Sequence, residues 1–206
     1  MTSTKEHILF TALKLILKKG YSNVSMSELV EASGLSKGAF YHYFKSKEAI
    51  YHDTLGKFFF SYMDSFDLTY DEDLSFRTNL MQVFTTFTGM AHEIQSITGP
   101  ENPMISYYNT LLEGAIRSET IKEKITRYYT LWVKSIGEWI KIAQSKREIN
   151  PTLDPELLSK QICALMEGIM IIYSFQEEEK DIEKYFNAIF YQFFELIDNN
   201  RIHENN

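Results

Sequence analysis

Lys37, Gly38, Tyr41, His42 and Tyr43 crowd into one short stretch, and their types suit one kind of chemistry. An ammonium meets a phosphate oxygen. Imidazole and phenol groups hydrogen-bond to the edge of a base or stack against it. A glycine lets backbone approach backbone closely. Sugar and phosphate contacts fix register on a duplex, while contacts to base edges in the major groove carry sequence. A helical face that is cationic, small and aromatic is unusual for a solvated helix and suits a surface entering that groove. Ser36 stands just before this stretch. Tyr43 and Lys47 are placed for phosphates, Lys47 near a helix start where amide donors point outward. Ser25, at the start of the preceding helix, caps that helix and is a further phosphate candidate.

Two short helices and a tight turn must hold these residues. The segment from Ser25 to Lys47 reads SMSELVEASGLSKGAFYHYFKSK. Ser25 and Glu28 form a capping box, so a helix starts at Met26. Met26, Leu29 and Val30 are spaced to bury one face. Ser33-Gly34 stops the helix, because glycine takes the left-handed conformation a C-terminus wants. Leu35 plugs the turn. Ser36 caps the next helix, in which Ala39 and Phe40 are expected to fall inward with Phe44.

GLSKGAFYHYFKSKEAI over residues 34–50 closely resembles the helix-turn-helix signature of TetR-family transcriptional regulators. The resemblance extends back through KEHILFTALKLILKKGYSNVSMSELVEAS at residues 5–33, which matches that family's first two helices, and covers about a quarter of the chain. It implies an N-terminal DNA-binding head with Ser36, Lys37, Gly38, Tyr41 and His42 at the groove. It also implies a helical body that dimerises and binds a small molecule. Repressor rather than activator follows on family grounds alone.

Charge distribution is consistent with this. Residues 1–50 hold seven Lys and four Glu, a net +3; the other 156 hold 14 basic and 24 acidic residues, a net −10. Such a head can release counterions from phosphates while the body is repelled by the duplex. Hydrophobic content of 44% and charged content of 24% are those of a soluble globular protein. No signal peptide and no apolar run of about 18 residues appears, so a cytoplasmic protein without a membrane partner is expected. The single Cys163 excludes an internal disulfide framework and reads as a small core residue. No metal or cofactor is expected. The five His are scattered, and neither an H-E-x-x-H pair nor a Gly-rich phosphate loop occurs, which argues against an enzyme.

The rest of the chain reads as helices, giving an all-α fold: three helices in a head at residues 1–48 and six in a body at 49–206. Ser3 and Glu6 form another capping box, opening a helix to about Lys19 with Ile8, Leu9, Ala12, Leu15 and Ile16 inward. Ser46 caps a helix running to about Phe66. Helices follow at about 75–97, 104–117 and 121–149, then from the Asp154-Pro155 cap to about Phe175, then to about Asn199.

The last helix carries Ile182, Tyr185, Phe186, Ile189, Phe190, Phe193, Phe194 and Ile197, a stripe wider than packing against one side of its own domain requires. On the helix before it, Leu158, Ile162, Leu165, Ile169 and Ile172 form a face, and Gly168 lets a partner approach. These are the expected homodimer surface, since a helix-turn-helix that reads two half-sites needs a twin. Of 30 aromatic residues, 24 lie after residue 50. Tyr62, Phe66, Phe84, Phe87, Met90, Tyr107, Tyr108, Leu111, Trp132, Ile136, Trp139, Met166 and Met170 are the expected walls of an effector cavity, being large, flat or flexible. Helical phase does not place Glu113, Glu138 or Glu167; any of them facing inward would favour a cation. The expected partners are therefore a near-palindromic DNA duplex, a second copy of the chain and a small hydrophobic or aromatic effector. The alternative is a DNA-binding regulator controlled by a protein partner, with no small-molecule pocket.

Overall fold

The computed structural model describes residues 3–64, 68–98, 103–175 and 182–198. They form ten α-helical segments and no β-strand. These are α1 (Thr4–Lys19), α2 (Met26–Ser33), α3 (Lys37–Tyr43), α4 (Lys47–Leu55), α5 (Ser61–Asp64), α6 (Phe76–Thr98), α7 (Pro103–Arg117), α8 (Glu119–Ser145), α9 (Pro155–Tyr173) and α10 (Ile182–Ile197). The helix expected from Ser46 to Phe66 is divided, because Gly56–Phe60 takes a wider π turn between α4 and α5. Phe66 and Asn199 lie outside the described residues. None of the described helices is long and apolar enough to cross a membrane.

The helix starts follow the capping rule. The hydroxyls of Ser3, Ser25, Ser36 and Ser46 each accept the backbone N–H three residues on, and Asp154 does the same for Leu157. Both expected capping boxes are complete, with Glu6 and Glu28 reaching back to the cap amides. Gly34 closes α2 at φ 66°, where a side chain would be strained.

The chain divides into two compact units, Met1–Phe66 with Glu93–Ile125, and Asp67–His92 with Thr126–Asn206. The expected division at residue 48 thus falls inside the first unit, which also takes in α7. In this unit α1 buries Ile8, Leu9, Ala12, Leu13, Ile16 and Leu17. Leu15 is only half-buried, so the inward face is rotated toward Leu13 and Leu17 relative to expectation. Leu29, Phe40, Phe44 and Ile50 complete this core.

In the second unit Phe76, Leu80 and Phe84 of α6, Trp132, Ile136 and Ile140 of α8, and Ile162, Met166 and Met170 of α9 are buried with Phe186 and Phe190 of α10. Phe84 lies 4.0 Å from Phe190 and 5.2 Å from Phe186, ring centre to ring centre. This corrects the expected dimer surface. Leu158, Ile162, Ile169, Phe186, Phe190 and Ile197 are buried within their own chain and are not available to a partner. Leu165, Ile189 and Phe193 are half-buried, and the Ile182 side chain lies outside those described. The helices are apolar on more than one side, so the richest stripe turned inward. What remains outside on α9 and the turn just after it is a second line: Leu157, Ile171, Ile172 and, two residues past the helix, Phe175, exposed by 58, 43, 52 and 71%. Ala164 and Gly168 lie between them on the same face. On α10, Tyr191 and Leu196 are exposed.

Candidate nucleic-acid interface

The recognition face is built by α3. Phe40 and Phe44 are buried and fix its inner side against the head. Lys37, Gly38, His42 and Tyr43 are exposed, and Tyr41 is half-buried in a T-shaped contact with Phe40 at 6.2 Å. His42 and Tyr43 meet edge to face at 5.3 Å, which limits how either ring turns. The Lys45 ammonium donates to the Tyr41 carbonyl at the helix end. Ser36 is exposed at the start of α3 and caps it.

Ala39 is exposed, against the expectation that it would fall inward. It stands about 60° round the helix from His42, which places it on the outward face with Gly38. A methyl group there is the apolar contact that a thymine methyl accepts. Helical phase carried this signal; the small apolar side chain masked it.

Two expected phosphate contacts have other partners in this structure. The Ser25 hydroxyl donates to Glu28 Oε2 at 2.9 Å and accepts the Glu28 amide, so it is occupied by its own capping box. The Lys47 ammonium donates to the Tyr21 carbonyl at 2.9 Å and lies 4.2 Å from the centre of the Tyr21 ring. Lys47 thus braces the turn between α1 and α2 from the start of α4.

The helices that carry α3 are tied to each other. Lys19 at the end of α1 pairs with Glu28 of α2 at 2.7 Å. Lys19, then the amide and hydroxyl of Ser25, hold the Glu28 carboxyl down to about 2 from 4.5. The stabilisation from this group is therefore present above the ordinary carboxylate range and is lost as pH falls through about 2. His7 Nε2 donates to the Ser33 carbonyl at 2.9 Å, joining α1 to the other end of α2.

The expected effector residues fall in both units. Tyr107 and Leu111 are buried in the first, with Tyr107 stacked on Phe59 at 5.1 Å, and Tyr108 is half-buried. Phe84, Trp132, Ile136, Trp139, Met166 and Met170 are buried in the second. Phe66 and the side chains of Tyr62, Phe87 and Met90 lie outside those described. A cavity of about 670 Å³ runs between α8 and α9 and shares none of these residues; Tyr129, Val133, Lys134, Gly137, Pro155 and Ser159 are among those that line it. Of the three acids, Glu138 is exposed beside Lys141, and Glu113 of α7 accepts from the turn between α1 and α2, as described below. Glu167, half-buried like Glu113, accepts the Tyr129 hydroxyl at 2.7 Å. Burial and the Glu167 charge push the Tyr129 phenol well above its ordinary range, so it stays a donor. Burial pushes the Cys163 thiol up to about 12, which leaves it unreactive at neutral pH.

The profile of bacterial regulatory proteins of the tetR family matches residues 8–54. That of the tetracyclin repressor-like C-terminal domain matches residues 106–189. The HTH-type transcriptional repressor DhaR of Mycobacterium sp. (strain GP1) is 22% identical over 189 residues, covering 92% of this chain and 91% of the repressor. The repressor NemR of Escherichia coli is 48% identical over 46 residues, 22% of this chain and 23% of NemR. A transcriptional regulator from Saccharomonospora viridis, solved in complex with choline, superposes with a TM-score of 0.66 at 18% identity, over 89% of this chain and 93% of that one.

Proposed function

The chain belongs to the TetR family of bacterial helix-turn-helix transcriptional regulators, and from that premise we propose that it is a cytoplasmic homodimeric repressor whose operator binding is modulated by a small hydrophobic or aromatic effector. It reads a near-palindromic duplex with Ser36, Lys37, Gly38, Ala39, Tyr41, His42 and Tyr43. The observation that carries this reading is the outward face of α3, where cationic, small and aromatic side chains stand exposed above a buried Phe40. Two heads on a two-fold axis place recognition helices about 34–36 Å apart or at a related spacing. The apolar line of Leu157, Ile171, Ile172 and Phe175, with Ala164 and Gly168 between, supports pairing of α9 with its twin.

An effector in the body is supported by its aromatic and methionine content. The α8–α9 cavity has the size of small-molecule sites, and Tyr129 on its wall holds the Glu167 carboxylate. The Tyr129 ring on this wall suits an organic cation, and choline is the molecule bound in the Saccharomonospora viridis regulator. The second reading, control by a protein partner, draws support from the filled core around Trp132, Ile136, Met166 and Met170. Displacement of an apolar fluorescent dye by a panel of small cations and aromatics separates the two.

The central test is selection of bound duplexes from a random DNA library, followed by titration at two salt concentrations. The expected result is one palindrome with a steep salt slope. No enriched sequence from a folded dimer overturns the reading. On the selected operator, Tyr41→Ala is expected to weaken binding about 10- to 100-fold with unchanged dimer mass, the range for removing one base interaction. Unchanged affinity would remove Tyr41 from the groove. Lys37→Ala is expected to weaken all duplexes alike and to flatten the salt slope by about 1 for each phosphate that Lys37 neutralises. An unchanged slope would take Lys37 off the phosphate backbone.

A further inference from the structure

The turn that joins α1 to α2 is held from outside the helix-turn-helix. Glu113 of α7 accepts the Tyr21 N–H at 2.8 Å on one carboxylate oxygen and the Ser22 hydroxyl at 2.7 Å on the other. One turn along α7, Arg117 donates to the Ser22 oxygen at 2.7 Å and lies 5.1 Å from the centre of the Tyr21 ring. Lys47 takes the Tyr21 carbonyl from the opposite side. Tyr21 in turn packs its ring 4.2 Å from that of Tyr51, whose hydroxyl donates to the Thr110 carbonyl of α7 at 2.6 Å. The turn also requires a glycine at its start. Gly20 has φ 77°, and a side-chain carbon there would sit 3.4 Å from Asn109 and 3.6 Å from Glu113. So backbone amide, hydroxyl, carbonyl and ring of one short turn are all gripped, and α7, distant in sequence, takes three of the four.

We infer that Glu113 is a positioning residue for operator binding: by holding the Tyr21–Ser22 turn it makes α7 part of the rigid frame that carries the reading head. Ser25, the first cap of α2, follows this turn closely, and Lys19 on its other side is paired to Glu28. A displacement of the turn therefore moves α2, and with it α3, which follows α2 directly through the tight Gly34 turn. Charge-assisted hydrogen bonds with both oxygens occupied give a fixed direction as well as strength. With the carboxylate removed, the head keeps its own core but gains freedom relative to α7. This inference rests on the reading of the protein as a dimer that binds two half-sites.

Freedom of the head has a signature that loss of stability does not. A rigid dimer discriminates between half-site spacings, because one inserted base pair displaces a half-site by about 3.4 Å and rotates it by about a tenth of a turn. A loose head tolerates the insertion. The experiment measures affinity for the selected operator and for the same operator with one base pair inserted at its centre, for the wild-type protein, Glu113→Ala and Glu113→Gln. The ratio of the two affinities is expected to narrow about tenfold in Glu113→Ala, the size of a typical coupling between sites. It is expected to stay near the wild-type ratio in Glu113→Gln, whose amide can accept from Tyr21 and donate to Ser22. Should Glu113→Ala fail to fold, Ser22→Ala removes one of the two bonds and is read in its place. A wild-type ratio retained by the folded Ala variant overturns the inference. A wild-type protein that enriches no operator removes the functional reading and this inference together, so the two failures are distinct.

Discussion

Ile172→Glu combined with Phe175→Glu is expected to convert the protein to a monomer and to abolish operator binding at concentrations where the wild type is saturated. Both side chains stand outside their own core, exposed by 52 and 71%, Ile172 on the α9 face that also carries Leu157 and Ile171 and Phe175 just past the end of that helix. Their replacement therefore leaves the fold of the single chain intact. In a two-fold assembly each substitution occurs twice, so four carboxylates would enter one interface, at several kcal/mol for each unpaired charge. Operator binding falls for a separate reason. One head on one half-site forfeits the second, tethered half-site, which is worth about 10²- to 10⁴-fold in apparent affinity. Light scattering coupled to size exclusion gives the mass directly. A double variant that remains dimeric at micromolar concentration would rule out this face as the interface.

Phe190→Ala is expected to do the opposite: to lower stability sharply while leaving the dimer mass of the surviving folded protein unchanged. Phe190 is fully buried, and its ring centre lies 4.0 Å from that of Phe84 and 6.0 Å from those of Phe186 and Phe194. Truncating such a ring costs about 3–5 kcal/mol, combining the transfer energy of the removed atoms with the cavity left behind. For a chain of this size that is a fall in melting temperature on the order of 10 °C. A fall of only a degree or two, or dissociation without destabilisation, would mean that Phe190 faces a partner rather than the interior. The two experiments together decide which side of the last two helices is inside.

The head was legible because its signals are local. Ser at the cap starts each helix of the head, Glu completes two of the caps, and Gly20 and Gly34 end α1 and α2 as their positions imply. The orientation of α9 and α10 was not legible, for a physical reason. Periodicity locates a stripe only when the opposite side is polar. α9 bears Leu158, Ile162 and Ile169 on one side and Leu157, Ile171 and Ile172 on another, and the competition between them is settled by what α6 and α8 offer. Lys47 meets a related limit. Its position at a helix start is a local fact, but the Tyr21 carbonyl that accepts its proton arrives only through tertiary packing. Glu113 had no signal at all. It reads as one more acid on an amphipathic helix, and its partners lie 91 and 92 residues away. Division of the helix after Ser46 was equally hidden. Gly56 and Lys57 followed by the bulky rings of Phe58, Phe59 and Phe60 nonetheless mark a place where an extra residue in the turn is tolerated.

Gly114 presses α7 against α4, where a side-chain carbon would sit 3.0 Å from both Leu55 and Ile121, and the Glu113 grip lies beside it. For anyone building hybrid sensors, this fixes where the chain can be cut. Grafting residues 1–48 alone onto a foreign body would strand the Tyr21 amide and the Ser22 hydroxyl. The transplantable cassette is discontinuous: it must bring the donor's α7 along with its reading head, or the recipient must already carry an acid, a glycine and an arginine at the matching positions of that helix.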